Sequence, residues 1–203
     1  MEYLINYYTN DLLDKLVCEG RYSMNSLSLM IPLSYAVKLI DLNWNDIYFA
    51  FINGYINNSE VVDFAVMSLN SDDLQKDDEF LNLVCSSSNG VDSEGIIIYL
   101  NNKIDKSTTD NSKEKFLYVV LSFLYDKRDY FEDVFRAIEV IYADFEYPKI
   151  MIPFVRYMSN NEKEFFDFPV DESELLYLNW QKYIEEQKIY YNQRDGSLSS
   201  VEE

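Results

Sequence analysis

KFLYVVLSFLYDKRDYFEDVFRAIEVIYADFEYP, residues 115 to 148, is the stretch on which the fold turns. Its first arm, Lys115 to Asp126, carries Phe116, Leu117, Val119, Val120, Leu121, Phe123 and Leu124. A helix apolar nearly all round is one buried on every side, so this arm is expected at the centre of the molecule. Lys127 and Arg128 follow where the negative end of the helix dipole favours cations. Asp129 then reads as the cap of a second helix, with Glu132 as its reciprocal partner in a D-x-x-E box. Phe131, Val134, Phe135, Ile138, Ile141, Tyr142 and Phe145 make one stripe along that second arm at helical spacing. The two arms read as an antiparallel helical hairpin. Pro148 closes it, because the residue before a proline, Tyr147, is pushed out of α geometry.

Upstream, the same signals repeat. Asn10 can cap a helix running to Cys18, with Gly20 placed to end it. Pro32 suits the first turn of a helix from Leu33 to about Leu42. Asn43 caps the next, with Asp46 three residues on as a box-like partner, and Trp44, Ile47, Tyr48, Phe51, Ile52 and Tyr55 recur along it. Asn58 or Ser59 opens another through Val62, Phe64, Ala65, Val66 and Leu69, and Ser71 opens one more to about Val84. Cys85 to Gly95 reads as a loop. Ile96 to Leu100 is β-branched enough for a short buried strand, but Ser93 as a cap and the helical neighbourhood favour a helix. Asp105 to Ser112 reads as a polar loop and a candidate boundary within a single helical domain. Ile150 to Tyr157 is expected to pack back. A final amphipathic helix starts at Asp171 or Ser173 and runs through Leu175, Leu176, Leu178, Trp180, Tyr183 and Ile184, with a frayed tail from Asp195 to Glu203. With 5 Gly and 4 Pro in 203 residues, breakers are too few for much besides helices and short turns. The expected class is all-α, an irregular bundle or solenoid-like stack of antiparallel helical hairpins.

Composition narrows the function classes. Seventeen basic residues against 36 acidic ones leave a formal charge of −19, with no histidine. Such a field repels nucleic acid and anionic membranes and draws basic surfaces from a distance. It also keeps an aromatic-rich protein dispersed, which is the alternative reason for its presence. Without histidine, Ser–His and Cys–His nucleophile pairs are excluded, and so is the commonest metal ligand. Cys18 and Cys85 sit in apolar helical contexts and read as buried thiols, not as a zinc site. The start of the chain has no basic-then-apolar leader, and no run reaches membrane-spanning length, so a reduced, cytoplasmic setting is the expectation. No cofactor and no catalytic residue is expected.

Two acidic groups stand out. The densest is Asp72, Asp73, Asp77, Asp78 and Glu79. It lacks the alternating ligands and central glycine of a calcium loop and the Glu-x-x-His of a di-metal helix site. It is either a solvated first turn, where the helix dipole favours acids, or a patch for a basic partner. The second group is Tyr142, Asp144, Glu146 and Tyr147, with Arg156 just past Pro148. Acids in the last turn oppose the dipole, so a compensating Asp144–Arg156 bridge that locks the corner is expected; an acidic corner offered to a partner is the alternative. Trp44 and Trp180 lie on apolar stripes and read as core. Eighteen tyrosines exceed what a core needs, and tyrosine interleaved with acid suits capture of a basic protein, since Tyr adds contact area at low entropic cost.

The string Ile141-Tyr142-Ala143-Asp144-Phe145-Glu146-Tyr147-Pro148, followed by Phe154-Val155-Arg156-Tyr157-Met158, resembles a bacterial domain-of-unknown-function family, the one numbered twenty-two forty-seven. The hairpin from Phe116 to Phe131, the stretch Trp44-Asn45-Asp46-Ile47 through Gly54, and Val61-Val62-Asp63-Phe64-Ala65 are similar as well, so the resemblance spans roughly residues 40 to 158. It implies no activity and no catalytic residues. Small acidic proteins of this kind look like immunity partners of secreted toxins, by analogy of size, charge and setting. The expectation is therefore a binding protein: an immunity-type protein whose acidic face covers a basic toxin domain such as a nuclease. A helical adaptor whose charge only serves solubility is the second reading, and a carboxylate-only metal hydrolase a remote third.

Overall fold

The computed structural model describes residues 25–70, 83, 93–104, 109–158 and 171–198. Every regular element among them is helical: α1 Leu33–Leu39, α2 Trp44–Ile52, α3 Asn58–Met67, α4 Ser93–Lys103, α5 Thr109–Asp126, α6 Val134–Asp144 and α7 Glu172–Leu198, with short 3₁₀ turns at Ser68–Asn70, Arg128–Tyr130 and Lys149–Phe154. The class is all-α. The Ile96–Leu100 ambiguity resolves as helix, inside α4. The helix expected from Asn10 to Cys18, nearly all of that from Ser71 to Val84, most of the Cys85–Gly95 loop and both cysteines lie outside the described residues.

The chain divides into two compact units, one of residues 1–34 and 42–113, the other of residues 35–41 and 114–203. In the first, helix starts follow asparagine. Asn43 accepts from the backbone of Asn45 and Asp46, and Asp46 returns a bond to the Asn43 N–H, a complete capping box. Asn57 and Glu60 make the same box for α3, one residue before the cap expected at Asn58. Glu60 does more than close its box: Oε2 accepts from Asn57 N at 2.9 Å and Oε1 from Leu33 N at 3.0 Å. Burial nonetheless raises its pKa above the ordinary carboxylate value, the two backbone bonds pulling the other way. Gly54 ends α2 at φ 74°, the left-handed conformation that lets Tyr55 N reach back to Ala50 O at 2.8 Å. The half-buried Trp44 ring meets Phe64 and Tyr99 edge-on, at 4.9 and 5.4 Å between centroids, tying α2 to α3 and α4. Asn25, itself buried, braces the loop before α1: Nδ2 donates to Leu29 O and Gly54 O, and Oδ1 accepts from Leu29 N.

In the second unit α5 supplies the central helix, as the all-round apolar pattern requires. Phe116 to Leu121, Phe123 and Leu124 are all buried. The helix starts earlier than expected, at Thr109, so Thr109 to Ser112 are helical and not loop. At its other end Arg128 donates to Tyr125 O at 2.7 Å and lies 4.5 Å over the Tyr125 ring, closing the negative end of the helix. The expected D-x-x-E cap at Asp129 does not form. Asp129 lies in the Arg128–Tyr130 3₁₀ turn, and Asp133 caps α6 by accepting from Arg136 N at 3.0 Å. A 3₁₀ turn spends the residues that a direct start at Asp129 would have used. The stripe of α6 is as read from Val134 on, with Val134, Phe135, Ile138, Ile141 and Tyr142 buried and Ala137 beside them, but Phe131 precedes the helix and is half-buried. Asp171 opens α7 with a bond from Ser173 N. This helix runs to Leu198, so Asp195 to Leu198, expected to fray, are helical. It packs against the Lys149–Phe154 turn, with Phe154 stacked on Trp180 and tilted on Tyr183, and Asn179 Nδ2 donating to Pro153 O at 2.9 Å. Trp180 is fully buried, as expected of core.

Candidate functional site

α6 and the turn after it bring Tyr142, Asp144, Glu146 and Tyr147 to one end of the helix. The helix ends at Asp144, and Phe145, buried, continues the apolar stripe past it. Glu146 and Tyr147 then take φ values of 62° and 61°. Two consecutive residues with Cβ atoms in the left-handed region are unusual, each costing about 1–2 kcal/mol. What holds them is a pair of backbone bonds, Glu146 N to Ala143 O at 3.0 Å and Tyr147 N to Tyr142 O at 2.8 Å, with Pro148 forbidding right-handed α geometry to Tyr147. The wrap leaves Tyr147 largely exposed (61%), its ring edge-on to buried Tyr142 at 5.3 Å. The 3₁₀ turn then returns the chain along α6, and Tyr157, 54% exposed, meets Tyr142 from another direction at 6.2 Å.

Arg156 does not bridge to Asp144 in the way expected from the sequence. Its Nη1 pairs with Asp133 Oδ2 and its Nε with Glu139 Oε1, both at 3.0 Å. Asp133 and Asp144 bracket the whole of α6, about 16 Å of helix rise, so a guanidinium seated at Asp133 belongs to the far end of the helix from Asp144. The correction has a simple cause: the returning segment runs back past the last turn before Arg156 is reached. The bonds to Glu139 and Asp133 raise the Arg156 pKa further. The Arg136 backbone N–H, then Arg156, hold the Asp133 carboxyl below its ordinary value. Burial first, then the Tyr142 and Tyr147 hydroxyls and the Glu139 carboxylate, raise the Tyr157 phenol. The corner thus sets exposed tyrosine ring faces near the Arg156–Glu139 pair.

Of the residues singled out from the sequence, Tyr142, Asp144, Glu146 and Tyr147 lie at this end of α6, while the Arg156 guanidinium sits on Asp133 and Glu139, toward the start and middle of the helix. Tyr142 is the buried floor of the corner, Asp144 is half-buried, and Glu146 and Tyr147 are exposed. Asp72, Asp73, Asp77, Asp78 and Glu79 lie outside the described residues. Sequence reasoning missed Asp133 and Glu139. Glu139 sits three residues before Tyr142, hence on the same helix face, which was the one available signal. It also missed an open groove of about 260 Å³ beside α7, floored by Pro153, Phe154 and Tyr183 and edged by Lys149 and Lys182. Lys182 there reaches Glu186 at 3.9 Å. Among the described residues no group of three or more carboxylate or thiol side chains is placed to hold a metal ion, and no helix is long and apolar enough to cross a membrane.

The fold and corner define an all-α protein with a strained, tyrosine-rich helix end on its surface. The chain belongs to the family described as "Uncharacterized protein conserved in bacteria (DUF2247)", whose model matches residues 33–188. The match reaches beyond the 40–158 span of the resemblance, taking in α1 and much of α7. No curated protein and no solved structure matches the chain.

Proposed function

We propose that this protein is an acidic binding protein, a cytoplasmic immunity-type protein that covers a basic toxin domain. An enzyme that handles nucleic acid presents a basic cleft, and a chain of formal charge −19 is steered to such a cleft and can fill it. The observation that carries the reading is the corner at the end of α6. Tyr147 and Tyr157 stand exposed, Tyr157 near the Glu139 carboxylate, and Tyr147 is held out by left-handed backbone at Glu146 and Tyr147. Backbone strain of this kind gathers at binding and switch sites. Exposed tyrosine beside acid is also the composition of surfaces that capture basic partners.

The test is capture of a partner from the native host, followed by association kinetics across ionic strength. A basic partner whose on-rate falls steeply as salt rises is the expected result. Recovery of no basic partner, or a salt-independent on-rate, rejects the reading. Neutralising Asp72, Asp73, Asp77, Asp78 and Glu79 to Asn or Gln separates it from a helical adaptor: binding falls if the acidic run steers the partner, and is unchanged in an adaptor that uses apolar grooves.

A further inference from the structure

We propose that the Tyr142–Tyr147–Tyr157 corner is the receptor for a single arginine side chain presented by a protein partner. The proposal rests on the binding reading above and adds to it a place and a chemistry. Tyr142 forms a buried floor, and Tyr147 and Tyr157 rise from it as two exposed rings, each in ring contact with Tyr142. Ring faces carry negative electrostatic potential and attract a cation within about 6 Å of the centroid.

Three features select a guanidinium. No Lys or Arg among the described residues lies over these rings; the cation–π pairs are Lys103 with Tyr99, Lys127 with Tyr130 and Arg128 with Tyr125. The guanidinium nearest in sequence, that of Arg156, is turned onto Asp133 and Glu139 and so does not lie over the rings. The Tyr142 and Tyr147 phenol oxygens and the Glu139 carboxylate lie near Tyr157, and a planar fork of donors can stack on a ring while bonding to oxygens at its rim, which a lysine ammonium cannot do. The left-handed pair Glu146–Tyr147 explains how the receptor is kept open, since an extended backbone there would carry the Tyr147 ring elsewhere.

The probe is N-acetyl-arginine amide at low salt, followed through the ring signals of Tyr142, Tyr147 and Tyr157 by NMR. Saturable shifts at millimolar concentration are expected, with N-acetyl-lysine amide weaker and N-acetyl-leucine amide without effect. Tyr147→Ala with Tyr157→Ala should weaken binding by about tenfold, in line with the loss of two exposed ring contacts. Tyr147→Leu with Tyr157→Leu keeps apolar bulk over Tyr142, guards against unfolding and should weaken binding equally, whereas the Phe pair should retain most of it. Non-saturable shifts, equal shifts by the leucine or lysine amide, or unchanged affinity in the Leu pair overturn the proposal. A captured basic partner that binds the Leu pair as tightly as the native chain overturns the receptor while leaving the acidic-binder reading standing. Loss of that reading through failure to find a basic partner leaves the arginine titration to stand or fall by itself.

Discussion

Arg156 Nε donates to Glu139 Oε1 at 3.0 Å across 17 residues of chain, and the same guanidinium reaches Asp133. One cation thus ties the segment after the Pro148 turn to the start and middle of α6. Arg156→Ala should lower stability by about 1 kcal/mol, the upper range for partly exposed pairs and no more, since its side chain is 39% exposed. Arg156→Lys should recover only part of this, because an ammonium lacks the fork that meets two carboxylates at once. Urea midpoints measure both, and an unmoved midpoint in Arg156→Ala contradicts the arrangement.

Acid titration should separate two carboxylates of opposite sign. The Asp133 pKa is lowered from 3.8, so its stabilisation is present above that value and disappears as pH falls through the lower folded one. The Glu60 pKa is raised from 4.5 by burial. Its contribution is full below 4.5 and lost as pH rises through the folded value. The stability gap between native chain and Asp133→Asn should therefore widen on going from acid to neutral pH, while the gap to Glu60→Gln should narrow. Denaturant melts at a series of pH values would show the two slopes; slopes of the same sign contradict the assignment.

Glycine at position 146 should stabilise the fold. Relief of left-handed strain is worth about 1–2 kcal/mol, and the extra freedom of unfolded glycine removes about 0.5–1, for a net gain of up to about 1.5 kcal/mol. Glu146→Val, β-branched and poorly suited to φ 62°, should destabilise. Thermal melts of both variants decide this; a destabilised Glu146→Gly would show that position 146 carries no such strain.

Asn43→Ala and Asn57→Ala should each cost about 1 kcal/mol by removing a helix cap. Asp at either position should retain most of the stability, because a carboxylate accepts the same backbone bonds. Equilibrium unfolding of the four variants is the check, and an alanine variant as stable as its aspartate counterpart would show the cap to be idle.

Local chemistry was legible wherever it was settled within a few residues. The Asn43–Asp46 box, the buried face of α6 and the all-round burial of α5 can be read from spacing alone, whereas the end of α2 before Gly54 was missed, its stripe being carried on to Tyr55. Asp129 misled because D-x-x-E occurs there and D-x-x-R at Asp133, and the box favours the first; only the Arg128 ring-and-carbonyl contact, which shapes the 3₁₀ turn, decides otherwise. The corner was legible as a set of residues but not as a set of pairs. Arg156 meets carboxylates 17 and 23 positions away, and that pairing depends on the direction in which the chain leaves Pro148, which no local period encodes. The left-handed conformation at Glu146 was equally hidden, since its residue type gives no sign of it.

Asn25 gives the first unit a chemical clock. Its carboxamide is held by Leu29 N, Leu29 O and Gly54 O, and Ser26 follows it, a small neighbour whose amide nitrogen can attack the carboxamide carbon once the side chain is let go. Ring closure there would expel ammonia and hydrolyse to aspartate or isoaspartate, leaving an acid where two carbonyl oxygens need donors. Folded molecules are shielded from that change, and opened ones are marked by it irreversibly. A slow gain of one unit of mass at this asparagine would count how often the loop before α1 has come undone.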